Sequence, residues 1–229
     1  MKTKHIGVFS LMAFVLTLIW LVLLIADMAQ AGPMNTFAKV LEHLSTPNPI
    51  LVISYINVAV LTVAAAMLFG LLYQYCRFYA EEWSVAAAVF VPVYAGLNLI
   101  VYLSQITVVP QLVELYRTGD SVAPGVLRQC IQLWPESAAA FANVLAYAVL
   151  GIPSMVYGIV LMRHAGSLRW AGGFLSTSGL ASIIGLSGLV ARVLPLTMAT
   201  SVSGVLFLAA LAFLSYGFLA GQDEVQFME

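Results

Sequence analysis

The sequence predicts an all-α, polytopic membrane protein with six transmembrane helices and two amphipathic outer-loop helices. Three observations carry that expectation. The 229 residues are 62% hydrophobic and only 8% charged, where a soluble domain carries about 25% charged residues. Mean hydropathy is +1.00. Six separate stretches are apolar for the roughly 20 residues that a helix needs to cross hydrocarbon. A net charge of −1 leaves no basic surface to hold nucleic acid.

The elements follow in chain order as a single six-helix domain over residues 1–229. The first span, Ile6 to Ala26, comes after a basic "KTKH". Ala29-Gln30-Ala31 reads as a signal peptidase site, but the apolar run exceeds the roughly 7–15 residues of a signal peptide core, so an uncleaved first helix is expected. The loop after it contains "NTFAKVLEHL". Asn35 can cap a helix there, Phe37, Val40, Leu41 and Leu44 fall on one face, and Pro47 ends it. Ile50 to Tyr73 is the second span and Val85 to Val109 the third. The next loop, from Pro110 to Glu136, contains "PGVLRQCIQLW", where Val126, Leu127, Cys130, Ile131 and Trp134 make an apolar face. Both loop helices read as lying at the membrane surface or roofing a site. Ser137 to Leu161, Trp170 to Val190 and Leu196 to Leu219 complete the six spans. The acidic tail "GQDEVQFME" reads as a solvated end.

Lys and Arg near the helix ends set the orientation. With the N-terminus inside, Lys2, Lys4, Arg77, Arg163 and Arg169 lie on the inner side, and Lys39, Arg117, Arg128 and Arg192 on the outer side. The basic N-terminus and the short "MRHAGSLR" loop favour this arrangement. The expectation is a multi-pass protein of the cell (cytoplasmic) membrane with both termini cytoplasmic. The two cysteines, Cys76 and Cys130, then fall on opposite sides of the bilayer and cannot join in a disulfide.

The stretch "IIGLSGLVAR" contains Gly-Leu-Ser-Gly, the form in which rhomboid-type intramembrane proteases present a nucleophile. Such a serine needs a general base. The histidines are His5, His43 and His164, none within a span and none after Ser187, and the lysines Lys2, Lys4 and Lys39 also lie outside the spans. A rhomboid-type activity is therefore rejected, and no catalytic residue is assigned. Ser178, Ser182, Gly185 and Gly188 instead form a small-residue stripe, with Thr197, Ser201 and Gly204 answering on the sixth span. Stripes of this kind let helix backbones approach closely in lipid. Arg192 continues the stripe at its outer end, where it can snorkel to headgroups.

Polar residues concentrate in the third and fourth spans. Tyr94, Asn98, Tyr102 and Gln105 share one helix face, and so do Asn143, Tyr147, Gly151, Ser154 and Tyr157. Counted inward from Pro110 and Glu136, Tyr102 lies level with Asn143 and Asn98 with Tyr147. Facing helices would pair them, as polar groups in hydrocarbon require. Gln105 would face the outer loops. Pro92 and Pro153 are expected to interrupt their helices, and Asn57 and Thr62 are further candidates for this seam. No Asp, Glu, Lys or His falls deep in a predicted span, so no metal or other cofactor is expected.

The segment "VYGIVLMRHAGSLRWAGGFLSTSGLASIIG" resembles a hairpin in small bacterial six-helix integral membrane proteins of a domain-of-unknown-function family. The resemblance extends over most of the chain as pattern and is specific only in that hairpin. It implies a six-helix bundle in a bacterial or archaeal cytoplasmic membrane, and no activity.

Three functional readings follow. The first is a non-enzymatic protein that binds or transports a small amphipathic or hydrophobic molecule, with Tyr94, Asn98, Tyr102, Gln105, Asn143 and Tyr147 as its ligand site. The second is an interaction subunit, docking a membrane-protein partner or a second copy through Ser178, Ser182, Gly185, Gly188, Ser201 and Gly204. The third is an intramembrane enzyme of unfamiliar chemistry. Membrane lipids are partners in every case.

Overall fold

A computed structural model describes residues 3–221, and Lys2 and the acidic tail beyond Gly221 lie outside them. The described residues are helical almost throughout: α1 (Lys4–Ala31), α2 (Phe37–Ser45), α3 (Pro49–Cys76), α4 (Glu81–Ala88), α5 (Phe90–Arg117), α6 (Ala123–Cys130), α7 (Ala138–Leu161), α8 (Gly166–Ala191), α9 (Leu194–Thr197) and α10 (Ala199–Leu219). Among them, six helical stretches are long and apolar enough to cross a membrane, with α4–α5 and α9–α10 each counting as one. The protein is all-α and multi-pass. The described residues form two compact units, 16–62 with 96–143, and 3–15 with 63–95 and 144–221.

In the unit of Leu16–Thr62 and Gly96–Asn143, both expected loop helices are present. Thr36, not Asn35, caps α2: its backbone is extended and its hydroxyl accepts from the Lys39 N–H. Val40 and Leu41 of α2 and Leu127 of α6 pack with Ile131, Val109 and Val113 into a small core. Val126 is exposed instead, because α6 ends at Cys130 and its short apolar face turns on Leu127. Arg128 lies over the rings of Phe37 and Trp134, and Arg117 donates to the Ser45 carbonyl. The two short helices thus form a fixed roof.

The roof explains why α5 runs unbroken through Pro110 to Arg117, past the expected end at Val109. Pro110 removes one helix hydrogen bond. Val109 and Val113, one turn apart, are buried in the roof core on either side of it and hold the helix.

The other unit depends on close backbone approach. A Cβ on Gly151 would stand 2.6 Å from the Gly179 carbonyl oxygen, and one on Gly158 would stand 2.6 Å from that of Gly172. These glycines are two turns apart on each helix, so α7 and α8 lie antiparallel with backbones in contact. Ser176 Oγ donates to the Met155 carbonyl at the same seam. The opposite side of α8 uses the predicted stripe. Ser178 and Ser182 meet Ser203 at 3.1 and 2.6 Å, Gly185 packs on Thr200, and Gly188 packs on Leu196 and Thr197. The α8 part of the stripe is therefore buried within the chain. The facing residues on α10 are Thr200 and Ser203; Ser201 and Gly204 are exposed.

Arg192 ends α8 in the left-handed region, at φ 58° and ψ 35°, and its N–H returns to the Gly188 and Leu189 carbonyls. Ser187 is exposed and its hydroxyl donates to the Ile183 carbonyl at 2.9 Å. Of the two prolines expected to interrupt helices, Pro92 does so: it cannot donate to the Ala88 carbonyl, and α4 stops there. Pro153 lies inside an unbroken α7. At one end of this unit His164 is buried against Tyr75, with 3.3 Å between Nε2 and the phenol oxygen, and against the Tyr79 ring. Cys76 is a buried free thiol, and Cys130 is also free.

Candidate functional site

The polar face of α5 presents Asn98, Tyr102 and Gln105 at successive turns, and Asn143 projects from α7 toward it. Asn143 Nδ2 donates to Tyr102 Oη at 2.7 Å and to Asn98 Oδ1 at 3.0 Å. The predicted pair of Tyr102 with Asn143 is present. Asn98, expected beside Tyr147, bonds Asn143 instead, because Asn143 reaches two successive turns of α5. Tyr94 and Tyr147 pack ring against ring in the other compact unit, 6.2 Å between centroids.

Gln105 ties this face to the roof. Its Nε2 donates to the Cys130 carbonyl at 2.9 Å and its Oε1 accepts from the Gln132 N–H at 3.0 Å. The turn that leaves α6 is thus clamped by a side chain from α5. Gln132 then continues the network: its Oε1 accepts from Tyr55 Oη at 3.1 Å and its Nε2 reaches Asn143 Oδ1 at 3.5 Å. Tyr55 and Gln132 are members that sequence reasoning missed. Gln132 sits just past an amphipathic helix, where periodicity gives no reason to turn a polar side chain inward. Asn57 and Thr62 stand apart from the network. Asn57 Nδ2 donates to the Leu16 carbonyl at 2.9 Å, pinning α1 to α3, and Thr62 bonds the Val58 carbonyl of its own helix.

The members of the network on α3, α5 and α7 are buried, and Gln132 is half-buried. Asn98 has no exposed surface, Tyr102 is 5% exposed, and Gln105 and Asn143 lie below 10%. Apolar side chains of the same unit surround it, among them Val58, Ala59, Leu99, Val101 and Ile106. Asn98 Nδ2 has no hydrogen-bond partner. A buried amide N–H without an acceptor is costly, by about 1–3 kcal/mol, so this atom is the open end of the network.

A second polar group lies at the junction of α1, α2 and α3. Asp27, expected in a loop, belongs to α1 and is 2% exposed. It accepts from Asn48 Nδ2 at 2.6 Å and lies 3.1 Å from His43 Nε2. Asn48 Oδ1 accepts from the Leu51 N–H and so caps α3. The pair of Asp27 and His43 joins the last turn of α1 to α2, and its polar atoms serve that junction. An open groove of about 360 Å³ lies beside it, edged by Lys39, Glu42 and Thr46. Among the described residues no three His, Cys, Asp or Glu side chains gather as metal ligands.

Comparison of the chain with family models, with curated proteins and with solved structures returns no match.

Proposed function

We propose that this chain is a non-enzymatic membrane protein that binds a small amphipathic or hydrophobic molecule at the network of Asn98, Tyr102, Asn143 and Gln132. One observation carries the reading: Asn98 Nδ2 is fully buried in a membrane-spanning helix and unpartnered, while the amides around it are bonded to one another. A bound molecule with an acceptor would complete the network. The distribution of Lys and Arg supports a cytoplasmic N-terminus, which turns the roof of α2 and α6 outward. The hairpin resemblance to small bacterial proteins supports the cytoplasmic membrane as its location. Docking through the small-residue stripe has no support here, since that stripe packs against α9 and α10.

The test is mass spectrometry of what co-purifies with the protein in mild detergent, beside Asn98→Leu. A molecule present with the parent and missing from the variant supports the proposal. Identical profiles from two folded proteins return the network to helix packing and overturn it.

A further inference from the structure

Taking the network as a binding site, we propose that it selects a neutral lipophile through a carbonyl oxygen. Donors and acceptors alternate along the chain of bonds. Tyr55 Oη donates to Gln132 Oε1, which leaves Gln132 Nε2 to face Asn143 Oδ1. Asn143 Nδ2 therefore points its two hydrogens at Asn98 Oδ1 and Tyr102 Oη. Asn98 accepts, and its own Nδ2 ends the series. Every amide points the same way, and what is left over is a donor. Turning the Asn98 amide alone would set its NH₂ against that of Asn143. Turning all three amides together would leave the buried Tyr55 O–H, which bonds only Gln132 Oε1, without an acceptor, so the Tyr55 hydroxyl fixes the direction of the series.

The missing group is thus an acceptor. The network's side chains are Asn, Gln and Tyr, none of which supplies a counter-charge at neutral pH. An isolated carboxylate or phosphate would be desolvated there without compensation. An ammonium brings only donors and has the wrong polarity. A hydroxyl can accept, but it brings a hydrogen that needs an acceptor of its own. A ketone, ester or quinone carbonyl accepts and brings no donor. The apolar residues packed with Tyr102 suit the hydrocarbon part of such a molecule.

The experiment uses the full chain in lipid nanodiscs and two probes, a long-chain methyl ketone and the secondary alcohol obtained by reducing it. Binding is read by ligand-detected NMR and by titration of tryptophan fluorescence. The expected result is a preference for the ketone of about tenfold or more, the size of effect that leaving a buried hydrogen without an acceptor produces. Ketone binding should be lost in Asn98→Leu and partly kept in Asn98→Ser, which retains a donor and guards against misfolding of the first variant. Equal binding of ketone and alcohol, lost in Asn98→Leu, overturns the carbonyl assignment and leaves the binding site standing. Neither probe binding, with a co-purifying molecule still lost from Asn98→Leu, also overturns the carbonyl class alone. Neither probe binding and no such molecule overturns both, and assigns the Asn98 donor to trapped water.

Discussion

Asn143 and Asn98 sit in the same network but should respond very differently to replacement by Leu. Asn143 makes two short bonds, at 2.7 and 3.0 Å, and accepts a longer one at 3.5 Å. Interhelical polar contacts in membrane proteins average about 0.6 kcal/mol, so the two short bonds contribute about 1.2 kcal/mol. Removing Asn143 also leaves Asn98 Oδ1 without its donor in a place water does not reach, for about 1–3 kcal/mol more. Asn143→Leu is therefore expected to cost roughly 2–4 kcal/mol. Asn98→Leu loses one bond of about 0.6 kcal/mol and leaves one Asn143 Nδ2 hydrogen without its acceptor, but it removes the amide whose own Nδ2 has no partner, so the two unsatisfied donors offset. In ligand-free protein its expected cost is below about 1 kcal/mol, and a small gain in stability is consistent with the same reasoning.

The assay is equilibrium unfolding in mixed detergent micelles, run on both single variants and on the double. Residues that share a bond are coupled, so the double variant should cost less than the sum of the singles by about 0.5 kcal/mol or more. Asn98→Leu costing as much as Asn143→Leu would refute the count of partners. Strict additivity would refute the bond between them.

Three further outcomes are expected. Gly158→Ala forces a Cβ to 2.6 Å from the Gly172 carbonyl and should cost about 1–3 kcal/mol as overpacking; Gly173→Ala, with nothing within 4 Å, should be neutral or stabilising by up to about 1 kcal/mol, and thermal unfolding in detergent separates the two. Arg192→Gly relieves a left-handed backbone at φ 58° and should raise the melting temperature, while Arg192→Val should lower it; equal effects would show that this turn relaxes without strain. Gln105→Leu releases the Cys130 carbonyl and the Gln132 N–H. Hydrogen exchange measured by mass spectrometry should then speed up over residues 123–134 and not over α8; unchanged protection there would mean that the roof core alone holds α6.

What the sequence reveals here follows the range of the physics involved. Hydropathy is a property of each segment, so the spans are legible, and so are the two surface helices, whose apolar residues repeat at helical spacing. Helix ends are less legible. Pro110 signals a break, but the burial of Val109 and Val113 under the roof overrides it, and that burial depends on α2 and α6. The pairing of Tyr102 with Asn143 can be found by counting depth along antiparallel helices. The placement of Asn98 cannot, because a single amide spanning two turns satisfies two partners and shifts the pairing by one turn. The small residues of α8 predict close packing, but periodicity does not say which neighbour they meet. Gly172 and Gly179 face α7, and Gly185 and Gly188 face α9 and α10, so one helix carries two seams.

Gln105 and Gln132 connect the stability of the roof to the state of the network. The bonds of Gln105 hold the backbone that leaves α6, and Gln132, placed by that backbone and turned by the Tyr55 hydroxyl, sets the direction of Asn143 and through it of Asn98. The direction of the open donor is thus decided where the α6 turn meets Tyr55. A ligand that accepted from Asn98 would strengthen a chain of bonds that ends at Tyr55 and the α6 turn, since hydrogen bonds in series polarise one another. Saturating ligand should therefore protect residues 123–134 from hydrogen exchange, although none of those residues needs to touch it. Gln105→Leu should abolish that protection. If the parent and Gln105→Leu gain equal protection, Gln105 carries no part of the coupling, and ligand must reach the roof by direct contact.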